Sequence, residues 1–294
     1  MKLAILGVGL IGGSLGLCLK RALGDQIYIT GLCRTETSMN RAMDLGAVDF
    51  ASSNLEKVVG DADFIFLSPP VLQIIPLVEK ILPFVKSGAI LTDAGSTKKF
   101  ICESMKKILP PDIYFVAGHP MAGREKSGVS AATPDLFRCK AYVLVTEENE
   151  SAAQIDARRK LIEILKFTDA RFLTISVDAH DRNVSAISHI PHLAAAALVN
   201  LLEESHEDLD SCAKMIGGGF KDTTRIAESN ADMWADICMT NPDAIFNHLS
   251  TLEKILNDVA QDIQNGNRDA IHDFFSRSKN LRENLFARIN FDPN

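Results

Sequence analysis

Two groups of residues in this chain have the types needed for acid–base and anion-binding chemistry. Ser96 and His119 form the first, within Asp93-Ala94-Gly95-Ser96-Thr97-Lys98 and Gly118-His119-Pro120-Met121-Ala122-Gly123. An imidazole titrates at about pH 6.5, so a neutral His119 can accept the proton of a substrate hydroxyl. A serine hydroxyl beside it can orient the ring or share that hydroxyl. The second group lies in Ser188-His189-Ile190-Pro191-His192 and in the run from Gly217 to Arg225. The Arg225 guanidinium suits a carboxylate, which its planar fork can grip bidentately. His189 and His192, with His180, also invite a metal reading. No carboxylate or cysteine stands at a convincing ligand spacing, so no metal is expected.

Ser96 and His119 are far apart in sequence and need a sheet to bring them together. Short apolar runs read as strands at Leu3–Leu6, Ile27–Leu32, Phe64–Leu67, Ala89–Asp93, Ile113–Ala117, Ala141–Thr146 and Arg171–Ile175. Helical candidates alternate with them at Ile11–Leu23, Thr37–Leu45, Val71–Val85, Thr97–Ile108 and Ser151–Phe167. Such alternation predicts an α/β fold, a doubly wound and mainly parallel sheet covered on both faces. Ligands of such sheets bind beyond the carboxyl ends of the strands. Ser68-Pro69-Pro70, the Ser96 segment and the His119 segment all fall there.

The first strand runs into Gly7-Val8-Gly9-Leu10-Ile11-Gly12, and a helix follows. In that context the pattern predicts a dinucleotide site. The first glycine serves the tight turn, the second the approach of the pyrophosphate, and the third close helix–strand packing. The diphosphate then meets free N–H groups at the helix N-terminus. A dinucleotide means NAD or NADP. The second strand ends Gly31-Leu32-Cys33-Arg34, with no acid to hold a ribose 2'-hydroxyl. Arg34 tilts the expectation slightly towards NADP. Ser68 and Pro69 are expected near the nicotinamide half.

After Val177 no strand pattern remains. Helices are predicted at Asp178–Ile187 and His192–Glu204, with Pro191 as a kink or restart, then at Leu209–Met215, Thr223–Glu228, Ala231–Thr240, Pro242–Asn265 and Arg268–Arg288. Two domains follow, a dinucleotide-binding domain at 1–177 and an all-α substrate and dimerisation domain at 178–294. Ile245, Leu249, Leu252, Ile255, Leu256, Val259 and Ile263 repeat at three- and four-residue spacing. A stripe of that kind packs on another helix or on a second subunit, and a homodimer is favoured.

Composition narrows the function classes. A net charge of -7 argues against nucleic acid as the main ligand, since phosphate binding usually shows as a basic face. The cysteines Cys18, Cys33, Cys102, Cys139, Cys212 and Cys238 are scattered, with no CxxC pattern. They suit reduced thiols in the cytoplasm. No uninterrupted apolar run reaches membrane-spanning length, so no membrane partner is expected.

The motifs GVGLIGGSL (7–15), TDAGSTK (92–98), GHPMAG (118–123), SHIPH (188–192) and GGGFKDTTRIAES (217–229) occur in this order over nearly the whole chain. Together they resemble the prephenate/arogenate dehydrogenases of tyrosine biosynthesis. The resemblance implies a dinucleotide domain followed by a helical dimerisation domain. It also implies oxidative decarboxylation of a cyclohexadiene to a 4-hydroxyphenyl product, using NAD or NADP. His119 matches the family's catalytic histidine, and Ser96 the serine contacting that histidine and the ring hydroxyl. His192 matches a substrate-site histidine, and Arg225 the arginine for the side-chain carboxylate. Asp222 and Trp234 match positions near the site that family dimers can share between subunits. Arg124 departs from the small hydroxyl residue common there. The chain ends about where the helical domain is expected to end, leaving no room for an appended regulatory domain.

Two other readings compete. A 3-hydroxyacid or 6-phosphogluconate type dehydrogenase would need a lysine on a glycine-rich helix, and only Lys214 and Lys221 are near. A non-catalytic dinucleotide-sensing module would leave the histidine, serine and arginine set without a purpose.

Overall fold

A computed structural model describes residues 1–123, 128–147 and 149–290. The chain divides into two compact units, Met1–Pro242 and Asp243–Asn294. In the first unit, β1 (Lys2–Leu6), α1 (Leu10–Leu23), β2 (Tyr28–Leu32), α2 (Glu36–Asp44), β3 (Phe50–Ser52), α3 (Leu55–Val59), β4 (Phe64–Leu67), α4 (Val71–Ile81), β5 (Ile90–Asp93), α5 (Lys99–Ile108) and β6 (Tyr114–Val116) alternate along the chain. Their strands form one six-stranded parallel sheet in the order β3-β2-β1-β4-β5-β6. That is the order of dinucleotide-binding sheets, whose crevice opens where the winding reverses, beside β1 and β4. Both faces are covered. Leu3, Ile5, Leu15, Leu19, Ile29 and Phe66 bury into one core, and Ala4, Leu6, Ile65, Leu67, Ile74 and Leu91 into another. This two-sided burial explains why the strands read as continuous apolar runs.

The remaining strands correct the single-sheet expectation. β7 (Gly118–Pro120), β8 (Ala141–Thr146) and β9 (Arg171–Ser176) form a separate three-stranded sheet, with α6 (Ala152–Leu165) between β8 and β9. β7 runs antiparallel to β8, with His119 opposite Val143, whereas β8 and β9 are parallel. Only Ala117 separates β6 from β7, so the chain changes sheets at one residue. A Cβ at Gly118 would sit 2.8 Å from the carbonyl oxygen of Asp93. Glycine is what lets β7 approach the end of β5 so closely. His119 therefore stands in a short strand rather than in a loop. The elements β3 and α3 are also additions to the sequence reading.

α7 (Val177–Val184) and α8 (Ile190–Glu204) follow, then α9 (Leu209–Met215), α10 (Gly218–Thr224) and α11 (Ala231–Thr240). The kink or restart expected at Pro191 is a restart: α8 begins at Ile190, with Pro191 in its first turn. α7 and α8 join through a wide π-helical turn at Ser185–His189. The helix expected at Thr223–Glu228 starts earlier, as α10 from Gly218 with Gly217 as its N-cap, and residues Arg225–Glu228 form a 3-10 turn. The helical run Val177–Glu204 is, by length and composition alone, apolar enough to cross a membrane. Yet it carries the buried polar residues His180, Asp181, Ser185 and His189.

The second unit holds α12 (Pro242–Gln264) and α13 (Arg268–Asn290). Ile245 is buried, while Leu249, Ile255, Leu256 and Ile263 of the predicted stripe are exposed. Phe275, Leu281, Leu285 and Phe286 are exposed on α13 as well.

Candidate active site

The glycine turn links β1 to α1. Gly7 adopts φ +101°, and a Cβ there would lie 2.8 Å from the Ser68 carbonyl carbon. A Cβ at Gly12 would meet the Gly7 oxygen at 2.5 Å, whereas one at Gly9 would meet nothing within 4 Å. The turn is thus pressed against the end of β4 and open at Gly9. The Ser68 hydroxyl donates to the Gly7 carbonyl at 2.8 Å and ties the two strand ends together. No side chain caps α1 at Gly9. The N–H groups of Leu10, Ile11 and Gly12, in its first turn, belong to the part of a helix that lacks intrahelical acceptors. Gly7, Val8, Gly9, Cys33, Arg34, Ser68 and Pro69 line a cleft of about 760 Å³. Its shape, its open backbone at Gly9 and its helix N-terminus fit a dinucleotide diphosphate. Arg34 stands just before α2, whose N-terminus is held by a Thr35–Ser38 capping box.

A second cavity, of about 400 Å³, is lined by Ser96, His119, Ser188, His189, His192, Arg225 and Trp234 among others. The first unit supplies all of them. Five of the six predicted catalytic and substrate residues, His119, Ser96, His192, Arg225 and Trp234, therefore meet here on one chain. Asp222 does not line this cavity and is exposed on α10. Arg124 lies outside the described residues. His180 was considered above as a metal ligand. Among the described residues no group of three or more His, Cys, Asp or Glu side chains is arranged to hold a metal ion.

Hydrogen bonds fix the protonation of His192. Its Nδ1 lies 2.8 Å from the Ser188 carbonyl, which can only accept, so Nδ1 carries the proton and Nε2 is an acceptor. Trp234 stacks on this ring at 3.9 Å between centroids. The Trp234 indole N–H is buried with no protein acceptor. Burial lowers the His192 pKa, with the nearby Arg225 charge adding to the effect and the Ser188 contact opposing it. His189 is pushed down to about 4, chiefly by burial.

Of the two roles open to Ser96, orienting the His119 ring or sharing the substrate hydroxyl, the first has no hydrogen bond to support it among the described residues. Instead His119 Nδ1 lies 2.8 Å from His180 Nε2, and His180 Nδ1 lies 2.7 Å from Asp181 Oδ1. Burial drives the His119 pKa well below the usual range, and the neighbouring His180, Lys98 and His189 push the same way. The ring is therefore neutral at neutral pH. Behind it, Lys98 pairs with Asp93 while fully buried and donates to the Gly118 carbonyl at 2.7 Å. Asp93 also accepts from the N–H groups of Gly95 at 2.8 Å and Gly118 at 3.1 Å. One buried ion pair thus ties the Ser96 loop to the His119 strand. The sequence reading quoted Asp93 and Lys98 only as parts of a motif. Asp93 carried a signal, a carboxylate at the end of an apolar strand, where a charge needs a partner; Lys98, between Thr97 and Lys99, carried none.

A doubly wound dinucleotide domain, joined to a helical segment that completes a histidine- and arginine-lined cavity, is the build of a nicotinamide-dependent dehydrogenase. The family model for the prephenate dehydrogenase nucleotide-binding domain matches residues 15–174, and that for the prephenate dehydrogenase dimerization domain matches 176–277. A prephenate dehydrogenase of Lactococcus lactis subsp. cremoris is 35% identical over 100% of this chain and 80% of its own length. The crystal structure of prephenate dehydrogenase from Aquifex aeolicus, in complex with hydroxyphenyl propionate and NAD+, superposes with a TM-score of 0.87 at 30% identity. The match covers 97% of this chain and 98% of that one. Synechocystis arogenate dehydrogenase gives a TM-score of 0.80 at 28% identity, over 97% and 100% of the two chains. The chain belongs to the prephenate dehydrogenase family.

Proposed function

We propose that this protein oxidatively decarboxylates a cyclohexadiene of the prephenate–arogenate kind, using a nicotinamide dinucleotide, in tyrosine biosynthesis. The observation that carries the reading is the 400 Å³ cavity, in which a neutral His119 faces the same space as Arg225 and His192. The dinucleotide supplies the acceptor for the hydride leaving ring C4. His119 accepts the C4 hydroxyl proton as that oxygen becomes carbonyl-like. Breaking of the C1–carboxylate bond then releases CO2, and its electron pair completes the aromatic ring. The phenolate so formed takes the proton back from His119, so the proton is borrowed and returned. Aromatisation provides the drive, and the protein's task is to position the ring and polarise the hydroxyl.

Arg225 holds the side-chain carboxylate, His192 accepts from a polar group of the substrate, and Ser96 shares the C4 hydroxyl. Trp234 completes the wall of the cavity, while Asp222, exposed on α10, takes part only as a position shared between the subunits of a dimer. Arg225→Ala raises KM for the cyclohexadiene about tenfold or more, with kcat changed far less, because binding common to ground and transition states is lost. An unchanged KM would refute the role.

Gly7 to Gly12, Ser68 and Pro69 hold the diphosphate and the nicotinamide half. Arg34 faces the adenine ribose and favours a 2'-phosphate, so NADP is used at least as well as NAD. The segment 178–294 forms the substrate and dimerisation domain. The exposed apolar side chains of α8, α12 and α13 meet a second copy of this chain. The scattered free thiols suit the cytoplasm. The test is a two-by-two assay, prephenate or arogenate with NAD or NADP, compared by kcat/KM. Turnover with neither substrate sinks the activity, and a tenfold preference for NAD sinks the Arg34 reading.

A further inference from the structure

The residues that decide which nitrogen of His119 carries its proton lie outside the cavity. We propose that His180 and Asp181 are positioning residues that hold His119 in the tautomer with Nε2 unprotonated, ready to accept the substrate hydroxyl. This rests on the reading of His119 as the proton acceptor.

Asp181 is buried at the start of the relay. Its two carboxylate oxygens accept from the backbone N–H groups of Lys98 at 2.8 Å and Lys99 at 2.9 Å. These are the first N–H groups of α5, which has no side-chain cap of its own. Asn241 donates to the Asp181 carbonyl at 2.8 Å and steadies the same residue from the other side. Burial alone would raise the Asp181 pKa. The contacts from His180 and the two N–H groups outweigh it and keep the carboxyl ionised. An ionised carboxylate only accepts, so the 2.7 Å contact requires the proton to be on His180 Nδ1.

His180 is itself fully buried and neutral, its pKa lowered chiefly by burial. With Nδ1 protonated, its Nε2 bears a lone pair. That lone pair faces His119 Nδ1 at 2.8 Å. Two lone pairs at this distance would repel with no proton between them, so His119 Nδ1 carries the hydrogen. Nε2 is then the unprotonated nitrogen of a ring whose other side lines the cavity. Each group in the relay fixes the next: the Asp181 carboxylate, His180 Nδ1–H, His119 Nδ1–H and the His119 Nε2 lone pair. The same relay stabilises the positive charge that His119 gains as it takes the proton.

The test compares His180→Leu and His180→Gln with the parent and with His119→Asn. His180→Leu leaves His119 Nδ1 without an acceptor and frees the other tautomer. Its kcat falls about a hundredfold, the scale of a misplaced tautomer or a lost general base. KM for the cyclohexadiene and Kd for the dinucleotide stay within about threefold. His180→Gln, whose amide oxygen can replace Nε2 as acceptor, recovers kcat to within about tenfold of the parent. A His180→Leu kcat within twofold of the parent overturns the proposal. So does a loss that His180→Gln fails to relieve. If His119→Asn loses turnover while His180→Leu does not, only the positioning role fails. If His119→Asn also keeps its turnover, the acceptor reading beneath it has failed. Should His180→Leu not fold, 15N imidazole shifts of the parent decide: the proposal requires His119 Nε2 to be the unprotonated nitrogen, and the reverse assignment overturns it.

Discussion

Replacing His119 by asparagine leaves a folded protein that binds its dinucleotide and has lost most of its turnover. The backbone of His119 pairs with Val143 in the middle of β7, and an asparagine keeps that pairing. Arg225 and His192 still line the cavity, and the glycine turn is untouched. What disappears is the only ring nitrogen proposed to take the C4 hydroxyl proton. General-base work by one histidine is worth roughly 10²–10⁴-fold, and kcat falls by that much. KM and dinucleotide affinity stay near the parent values. The pH profile gives a second readout. Neutral His119 is the active form, and its folded-state pKa lies well below the ordinary 6.5 because the ring is buried. Activity is therefore lost only as pH falls through that depressed value, and the acid limb of kcat lies below the usual histidine range. In the asparagine variant this limb is absent. A variant with kcat within twofold of the parent would show that another group takes the proton.

The second large effect concerns stability. Lys98→Met removes the cation from a pair in which both side chains are fully buried. Asp93 keeps its backbone donors at Gly95 and Gly118 but loses its countercharge. Breaking a buried pair by deleting one partner costs about 3–5 kcal/mol. On a chain of this size that is a fall in Tm of roughly 10 °C. The double variant Lys98→Met with Asp93→Asn recovers much of the loss, since no uncompensated charge remains. Thermal unfolding of the parent, the single and the double variants measures both effects. A single variant that melts within about 2 °C of the parent would show that the pair does not hold the site together. Activity follows stability here, because Lys98 also donates to the Gly118 carbonyl beside His119.

The parallel sheet was legible because its strands are buried on both faces and bounded by glycine turns. Leu3–Leu6 and Phe64–Leu67 leave no alternative to a core strand. In the second sheet β8 and β9 were legible as strands, but neither β7 nor the separation from the first sheet was. β7 has three residues, one a proline, and pairs with β8 across a span that no local pattern announces. β3, also three residues long, was lost for the same reason. At the site, residue type and strand-end position sufficed to bring Ser96 and His119 to one cavity, whereas His192 and Arg225, which stand on helical elements, were placed there only by the resemblance of their motifs to the family. The partner of His119 was missed. His180 and Asp181 lie about sixty residues further on, and the sequence reading weighed His180 only for metal binding. A side chain that acts by touching another side chain leaves no spacing rule. His180 and Asp181 sit on α7 among Asp178, Arg182 and Asn183, so nothing in the local sequence marked them as buried.

The wide turn at Ser185–His189 has a consequence for angular register. His180 and His192 are twelve positions apart. In a uniform α-helix twelve residues turn the chain by about 1200°, which leaves the two side chains roughly 120° apart around the axis. A single π turn absorbs one extra residue, and the effective rotation drops to about 1100°, roughly 20° from alignment. The ring behind His119 and the ring stacked on Trp234 then point to the same side of one continuous rod. Removing one residue from 185–189 would return the turn to a regular α-helix, with the two histidines eleven positions apart and still about 1100° around the axis. Removing one residue from a regular part of the rod, where no π turn absorbs the change, would swing everything beyond it by about 100°, and the two rings would no longer point to the same side.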